Sequence, residues 1–324
     1  MRLEIHWAIR DFFPVSVIRE GTNGRVIVMG GLSENLRLLH LVRSTDHLIC
    51  LTYGDYLQAE YSTMRQVVEL FGLDVERVSV LCNYPAQVDM AQSAGMKAYF
   101  CNHNALINEH VMRPRILQKQ FDAVCNARPW KAKRVRLARK VERLALIQGP
   151  YVTGTEAEDL SDVPYAYRNN GKLSLAGVAQ VLSASYVGLA LSAAEGACLA
   201  SSEYLLCGLP VVTTPSRGGR DIWYDAQNSI VCEPNADAVR EAVDHTIARL
   251  KRGEIDPREI RRRHIEQARD HRSRFLQVLN QAFEHVECAD NPEKVFEQTL
   301  AARGILPQYV PYVSVSRSLE HSTR

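Results

Sequence analysis

Residues 191–212 read LSAAEGACLASSEYLLCGLPVV, the densest cluster of candidate functional residues in the chain. It is typical of a strand end, a glycine-containing turn and the start of a helix. Such a turn presents unpaired N–H groups and the positive end of the helix dipole, which attract an anion or a hydroxyl. Glu195 closes the strand, and Glu203 lies in the first turns of the helix, where a carboxylate can accept hydrogen bonds from a vicinal diol such as a ribose. Taken alone, both glutamates are better explained as helix N-terminal acids favoured by the dipole.

A second motif lies upstream, where a predicted strand at residues 121–126 is followed by NARPWKAK at residues 126–133. The chain is expected to leave the strand, turn at Pro129 and begin a basic helix over residues 133–146. Ligands bind at the carboxyl ends of parallel strands, so Arg128 and Lys133 are placed to neutralise a diphosphate. A surface basic loop is the alternative for this segment considered by itself.

Short apolar runs alternate with helix-like segments along the whole chain, which indicates parallel sheets covered by helices. The predicted strands of the first half are residues 26–29, 47–51, 78–82 and 98–101, and the pattern restarts after about residue 118. A chain of 324 residues exceeds what one core usually supports. We therefore predict an α/β fold with three parts: a short first domain at 1–118, a second at 119–285, and a C-terminal helix with a frayed tail at 286–324, which can pack back on the first domain.

The composition is that of a globular protein, with 46% apolar and 23% charged residues. No apolar run approaches the roughly 18 residues of a membrane span, and charges at the N-terminus argue against a signal peptide. The eight cysteines are scattered and suit buried free thiols in a reducing compartment. We expect a cytoplasmic protein. A net charge of +2 predicts no general affinity for polyanions, although basic residues concentrate at 131–143 and 258–274.

The second half resembles the donor-binding domain of the retaining GT-B glycosyltransferases of family GT4. That family carries two glutamates separated by seven residues within a pattern close to E-G-x6-E-x4-G-x-P-V-V. Glu195, Gly196, Glu203 and Gly208 keep this register, and Pro210, Val211 and Val212 complete it. The Arg-x4-Lys pair of the family is matched by Arg128 and Lys133, while the sequence from Gly218 to Asp221 and Asn228 are similar to the motifs that follow. The resemblance covers about residues 119–250.

This resemblance implies two Rossmann-like domains that face a central cleft, and it implies a role for each motif residue. Glu203 would bind the ribose hydroxyls, Glu195 with the amides of the next four residues would hold the donor sugar, and Arg128 and Lys133 would stabilise the leaving diphosphate. Those four residues are Gly196, Ala197, Cys198 and Leu199. No metal or other cofactor is expected, since side-chain cations replace the metal in this family and the sequence has no Asp-x-Asp motif.

The first domain offers two weaker candidates for the cleft. Gly30 and Gly31 follow a predicted strand and are similar to the glycine loop that approaches the donor phosphate. His103 follows another strand end, at the position where relatives have a histidine near the donor sugar. The first domain is shorter than is usual in the family, Ala197–Cys198 replaces an aromatic residue, and Asp221 stands where glutamate is commoner; these departures bear on the substrate.

Three hypotheses follow from the sequence. The first is transfer of a sugar from a UDP- or GDP-type donor to a glycan, lipid-carrier or small-molecule acceptor, with retention of configuration. The second keeps the donor but takes a modified nucleic-acid base as acceptor, because the basic segment at 258–274 can follow a phosphate backbone. The same segment can instead rest weakly on an anionic membrane, giving a peripheral location. The third is a non-catalytic protein that binds nucleotide sugars.

Overall fold

The computed structural model describes residues 12–149, 156–302, 305–306 and 309–311. The described chain forms two α/β lobes, each built on a six-stranded sheet. The elements of the first lobe are β1 (Phe12–Gly21), β2 (Gly24–Gly30), α1 (Leu36–Leu39), β3 (His47–Leu51), α2 (Gln58–Leu70), β4 (Val78–Cys82), α3 (Pro85–Ser93) and β5 (Lys97–Phe100).

The second lobe follows along the chain. Its elements are β6 (Phe121–Asn126), β7 (Leu144–Ile147), β8 (Tyr167–Arg168), α4 (Leu175–Ser183), β9 (Ser185–Ala190), β10 (Ala194–Glu195), α5 (Leu199–Leu206), β11 (Val211–Thr213), β12 (Arg217–Gly218), β13 (Ser229–Val231) and α6 (Ala236–Lys251). The chain ends with α7 (Pro257–His285), α8 (Pro292–Ala302) and β14 (Tyr309–Pro311).

The sheet of the first lobe has the order β14-β1-β2-β3-β4-β5, in which β2 to β5 are parallel and β1 is antiparallel to both of its neighbours. Helices α1 to α3 contribute Leu38, Tyr61 and Ala91 to the cluster on one face of this sheet. The opposite face packs against α7 and α8, through residues such as Phe275 and Phe296. The C-terminal helices therefore complete the core of the first lobe.

The sheet of the second lobe has the order β13-β11-β9-β6-β7-β8 and is parallel throughout. Helices α4 and α5 cover one face together with the first turns of α7, and α6 covers the other. The predicted α/β class with parallel sheets is confirmed. The domain boundaries at 118 and 285 stay predictions, and α7 packs in the cores of both lobes.

Two local predictions are wrong. Residues 133–146 do not form one helix: short 3-10 turns at Lys131–Lys133 and Val135–Ala138 meet at Arg134, which has φ 52°, and β7 follows. The apolar run Leu144–Ile147 is buried throughout, so it forms a strand inside the sheet. The sequence also predicts a frayed tail, but Tyr309–Pro311 pairs with β1; residues 312–324 lie outside the described residues.

All eight cysteines are free thiols, five of them buried. Among the residues that the structure describes, no helix combines the length and apolar character needed to cross a bilayer.

Candidate active site

The turn after β10 is the centre of the candidate site. Cys198 caps α5 in the left-handed region, with φ 58°, so the chain reverses sharply between Glu195 and the first turn of the helix. A side chain on Gly196 would lie 2.6 Å from the carbonyl oxygen of Tyr53, which shows how closely the first lobe approaches this turn. The turn therefore lies between the lobes and leads from Glu195 into the first turn of α5.

Lys133 and Glu195 are brought together by the loop that follows β6. The main-chain N–H of Ala193 donates to the carbonyl of Ala132 at 3.1 Å, and Arg134 Nε donates to the carbonyl of Leu191 at 2.6 Å. These bonds bring Lys133 Nζ into an ion pair with Glu195 Oε1, and the two side chains are 21% and 11% exposed. A cation and a carboxylate that are shielded but still reachable can serve a phosphate and a sugar hydroxyl respectively.

Arg128 lies in the same loop, beside the indole of Trp130. The guanidinium carbon of Arg128 is 5.1 Å from the Trp130 ring centroid, and Lys133 Nζ is 6.0 Å from it. Both predicted phosphate-binding cations therefore flank one aromatic ring, an arrangement that cation–π attraction favours. The structure places Arg128 and Lys133 together as the sequence motif predicts.

Glu203 points from the second turn of α5 toward the end of β6. Its Oε2 accepts a hydrogen bond of 2.6 Å from Asn126 Nδ2, and only 8% of the residue is exposed. Burial raises the pKa of Glu203 from 4.5 to about 7, while the bond from Asn126 acts in the opposite direction. A buried carboxylate with one donor has unused acceptor capacity, which two hydroxyls of a ribose can satisfy.

The neighbouring Tyr204 fixes the helix that carries Glu203. Its hydroxyl accepts from the N–H of Asn126 at 2.7 Å and donates to the carbonyl of Leu189 at 3.2 Å. The same ring lies against Gly188, where a Cβ would come within 2.4 Å of it. Helix α5 is thereby held against the strand ends of β6 and β9, and the distance from Glu203 to Asn126 is set by packing.

His103 lies in a 3-10 turn after β5, at the first-lobe side of the turn. It is 2% exposed, its ring packs edge-on against Tyr53 with centroids 5.4 Å apart, and its Nδ1 has no hydrogen-bond partner among the described residues. Burial lowers the pKa of His103 to about 4. The imidazole is therefore neutral near pH 7 and can act there as a hydrogen-bonding group but not as a cation.

Gly30 and Gly31 support the same corner of the first lobe. A Cβ on Gly30 would lie 1.8 Å from the Tyr53 ring, and Gly31 adopts φ 44° while its N–H donates to the carbonyl of Leu51 at 3.0 Å. Their observed contacts position Tyr53, which in turn contacts His103. Their predicted contact with a phosphate stays a prediction.

Sequence reasoning missed the asparagines on either side of His103. Asn104 Nδ2 donates to the carbonyls of Ala197 and Cys198, at 2.8 and 2.9 Å. Asn102 Nδ2 donates to the carbonyl of Gly219 at 3.0 Å. Both asparagines are buried. From the first lobe, the two asparagines orient the backbone of the turn after β10 and of the loop at Gly219. No local sequence pattern predicts such a contact.

A further cross-lobe contact joins the loop after β3 to β12. Asp55 forms an ion pair with Arg217 and accepts a hydrogen bond of 2.5 Å from the Tyr84 hydroxyl. The nearby loop at Gly218 and Gly219 is held by Arg220, which is fully buried. Arg220 donates to the carbonyl of Ala190 at 2.9 Å and to Asp221 at 2.6 Å. Asp221, found where the family commonly has glutamate, thus pairs with its own neighbour.

The basic segment at 258–274 forms part of α7, and several of its arginines are engaged within the protein. Arg261 donates to the main chain of Met112 at 2.9 Å, Arg262 pairs with Glu259 and Glu266, and Arg272 pairs with Glu109. These partners reduce the charge that the helix offers to a membrane or a nucleic acid. The contact with either polyanion stays a prediction.

No curated protein sequence matches the chain. Residues 170–271 match the family model described as "Glycosyl transferases group 1", and this segment contains Glu195 and Glu203. The predicted resemblance to this kind of glycosyltransferase is confirmed.

Within the described ranges no group of three or more His, Cys, Asp or Glu side chains is arranged to hold a metal ion.

Solved structures show the same architecture at low sequence identity. Anabaena Alr3699/HepE in complex with UDP-glucose is 13% identical, with a TM-score of 0.52 over 74% of this chain and 72% of that chain. Sucrose-phosphate synthase from Thermosynechococcus elongatus is 14% identical, with a TM-score of 0.52 over 92% of this chain and 74% of that chain. These likenesses show the fold, and the predicted GT-B architecture of two Rossmann-like lobes is confirmed.

Proposed function

We propose that this chain, which has the GT-B fold and matches the group 1 glycosyltransferases over residues 170–271, transfers a sugar from a nucleoside-diphosphate donor. The acceptor belongs to the class of glycans, lipid carriers or small molecules, and the anomeric configuration is retained. The observation that carries the proposal is the convergence of the Lys133–Glu195 ion pair and the buried Glu203 at the strand ends beside the start of α5.

The roles follow from charge and position. Glu203 accepts the ribose hydroxyls, which supply the hydrogen-bond donors that its burial requires. Lys133 and Arg128 bind the diphosphate and stabilise the negative charge that grows on it as the glycosidic bond breaks. Glu195, which holds Lys133 before the donor arrives, then accepts a hydroxyl of the donor sugar.

Fixed cations and the dipole of α5 supply the stabilisation that a divalent metal would otherwise give to the diphosphate, so we propose a metal-independent reaction. The neutral His103 at the other wall of the cleft accepts a hydrogen bond through its unpartnered Nδ1, which suits a sugar hydroxyl. The leaving phosphate takes the proton of the acceptor on the same face, so no protein base is required for retention.

Thermal-shift screening against UDP- and GDP-sugars is the first test, because a bound donor stabilises the folded state by mass action. UDP-glucose belongs in the panel, since Anabaena Alr3699/HepE was solved with it. We expect one donor to raise Tm and to release nucleoside diphosphate when an acceptor extract is added, with or without EDTA. Binding without any turnover would favour the non-catalytic hypothesis, and no binding to any sugar nucleotide would refute the proposal.

A further inference from the structure

The segment that joins the two lobes holds two apolar side chains in solvent. Ile116 is fully exposed and Leu117 is 46% exposed. The segment is tethered at both ends, because the N–H of Arg115 donates to Ser183 Oγ at 2.9 Å and the N–H of Gln120 donates to the carbonyl of Ala184 at 2.7 Å. Single exposed apolar residues are common on proteins, so the surroundings decide what this pair does.

A cavity of about 210 Å³ opens beside the same segment, at the amino end of β9. Lys119 and Lys251 stand on it, each with its Nζ 5.8 Å from the ring centroid of Tyr186. The full lining is Lys119, Tyr186, Gly208, Leu250, Lys251 and Pro257. Lys119 Nζ also donates to the carbonyl of Ser185. Two ammonium groups beside one ring at a concave site can attract an anion.

Carboxylates close in sequence to these lysines are already engaged. Asp122 pairs with Arg143, and Glu254 pairs with Arg249 and Arg252. Burial lowers the pKa of Lys119, and no carboxylate is among the groups that oppose this effect. Among the described residues, neither Lys119 nor Lys251 forms an ion pair with a carboxylate, although exposed Asp256 adjoins the lining residue Pro257.

The apolar pair and the cavity lie within one small surface. Lys119 is three residues from Ile116, which an extended chain spans in about 10 Å. Exposed Arg113 precedes the apolar pair, and exposed Arg258 follows the Pro257 that lines the cavity. The surface thus combines apolar side chains held outward with cations around a concave site, which is the combination that anionic lipid bilayers bind.

We propose that this face docks on an anionic lipid bilayer, with Ile116 and Leu117 entering the boundary of the acyl chains and a lipid phosphate lying between Lys119 and Lys251. A nucleic-acid backbone would satisfy the cations but would leave the apolar pair in water. The face lies at the amino end of β9, whereas Glu195 lies beyond the carboxyl end of that strand. Docking therefore leaves the cleft open and does not depend on the sugar donor.

The test is sedimentation of the full chain with phosphatidylcholine vesicles, with and without phosphatidylserine, at low and high salt. We expect binding only to the phosphatidylserine vesicles, weakened by salt. Ile116→Ser should weaken it at least about tenfold, and the Lys119→Gln/Lys251→Gln double variant about 25-fold, at about fivefold per lysine. Leu70→Ser and Lys172→Gln, at exposed positions elsewhere, should bind like wild type.

Each variant is first checked by thermal unfolding, and Lys251→Gln alone replaces the double variant where half-buried Lys119 proves necessary for folding. Equal binding by Ile116→Ser and wild type would overturn the proposal. So would binding that ignores phosphatidylserine, or retention of duplex DNA in place of vesicles. Donor hydrolysis by Ile116→Ser should match that of wild type, so a failure of docking is distinguishable from a failure of the proposed enzymatic function.

Discussion

Glu203→Gln tests whether the buried carboxylate lowers the free energy of unfolding while it strengthens donor binding. The folded pKa of Glu203 is about 7 and its usual value is 4.5, so the folded state binds the proton more tightly than the unfolded state does. A raised carboxyl pKa leaves stability unaffected at low pH and reduces it as pH rises from 4.5 through 7. Relative to low pH, the raised pKa lowers the free energy of unfolding by about 3 kcal/mol at pH 8 but by only about 1 kcal/mol at pH 5.

The glutamine variant removes this titration while its amide oxygen can still accept from Asn126. The free energy of unfolding of Glu203→Gln relative to wild type should therefore be about 2 kcal/mol more favourable to the variant at pH 8 than at pH 5. Urea denaturation at both pH values measures this difference, and any constant cost of the new amide cancels from it. Glu241→Gln, at an exposed position of α6, is the control.

Donor binding should move in the opposite direction. The ionised carboxylate accepts the ribose hydroxyls, so wild-type affinity for the donor should rise as pH increases through 7, and Glu203→Gln should bind about tenfold or more weakly at pH 8. Calorimetric titration of the donor measures both effects. A stability difference that does not change with pH would refute the burial argument, and unchanged donor affinity would refute the ribose role.

Three further substitutions test the surrounding geometry. Lys133→Ala should lower kcat about 100-fold or more while changing donor affinity much less, and steady-state kinetics with saturating donor that match wild type would exclude its leaving-group role. Asn104→Asp should lower the free energy of unfolding by more than about 2 kcal/mol at pH 8, because a buried carboxylate would face the carbonyl of Ala197; chemical denaturation measures it, and a neutral result would contradict the contact. Gly196→Ala should weaken donor binding and lower Tm, since its Cβ would meet the Tyr53 carbonyl. Thermal unfolding with and without donor measures both effects, and values equal to wild type would contradict the predicted clash.

The sequence was sufficient wherever one element carries its own pattern. Strands β3 and β4 are buried at every position and apolar except for His47 and Ser79, and near-continuous apolar character is the signature of a parallel strand covered on both faces. The order of Arg128, Lys133 and Glu195 along two strand ends likewise placed them in one site, because the carboxyl ends of parallel strands meet at one edge.

Prediction failed where a local pattern had two explanations. Val135, Ala138 and Val141 repeat every three residues and are all buried, which favours a helix in a sequence window. The left-handed conformation of Arg134 instead allows its side chain to reach the carbonyl of Leu191. A tertiary contact selected the backbone conformation there, and the three apolar residues are buried from 3-10 turns and a loop.

The cross-lobe contacts lay beyond sequence reasoning for a different reason. Asn104 and Ala197 are 93 residues apart, and their contact depends on how two sheets are joined. Strands β2 to β5 follow one another in order, and α1 to α3 contribute to the cluster on one face. The other face needs a cover from elsewhere in the chain.

Helix α7 provides that cover and thereby fixes the relation between the lobes. Its 29 residues span about 44 Å, with Ile260 and Ala268 in the core of the second lobe and Phe275 in that of the first. His271, between them, accepts a hydrogen bond of 3.2 Å from the N–H of Asn102, the asparagine that also holds Gly219. Helix α7, which completes the first lobe, is thus linked through Asn102 to Gly219, whose N–H donates to the carbonyls of Glu195 and Gly196. Packing of the apolar face and geometry of the candidate active site are in this way determined by the same element.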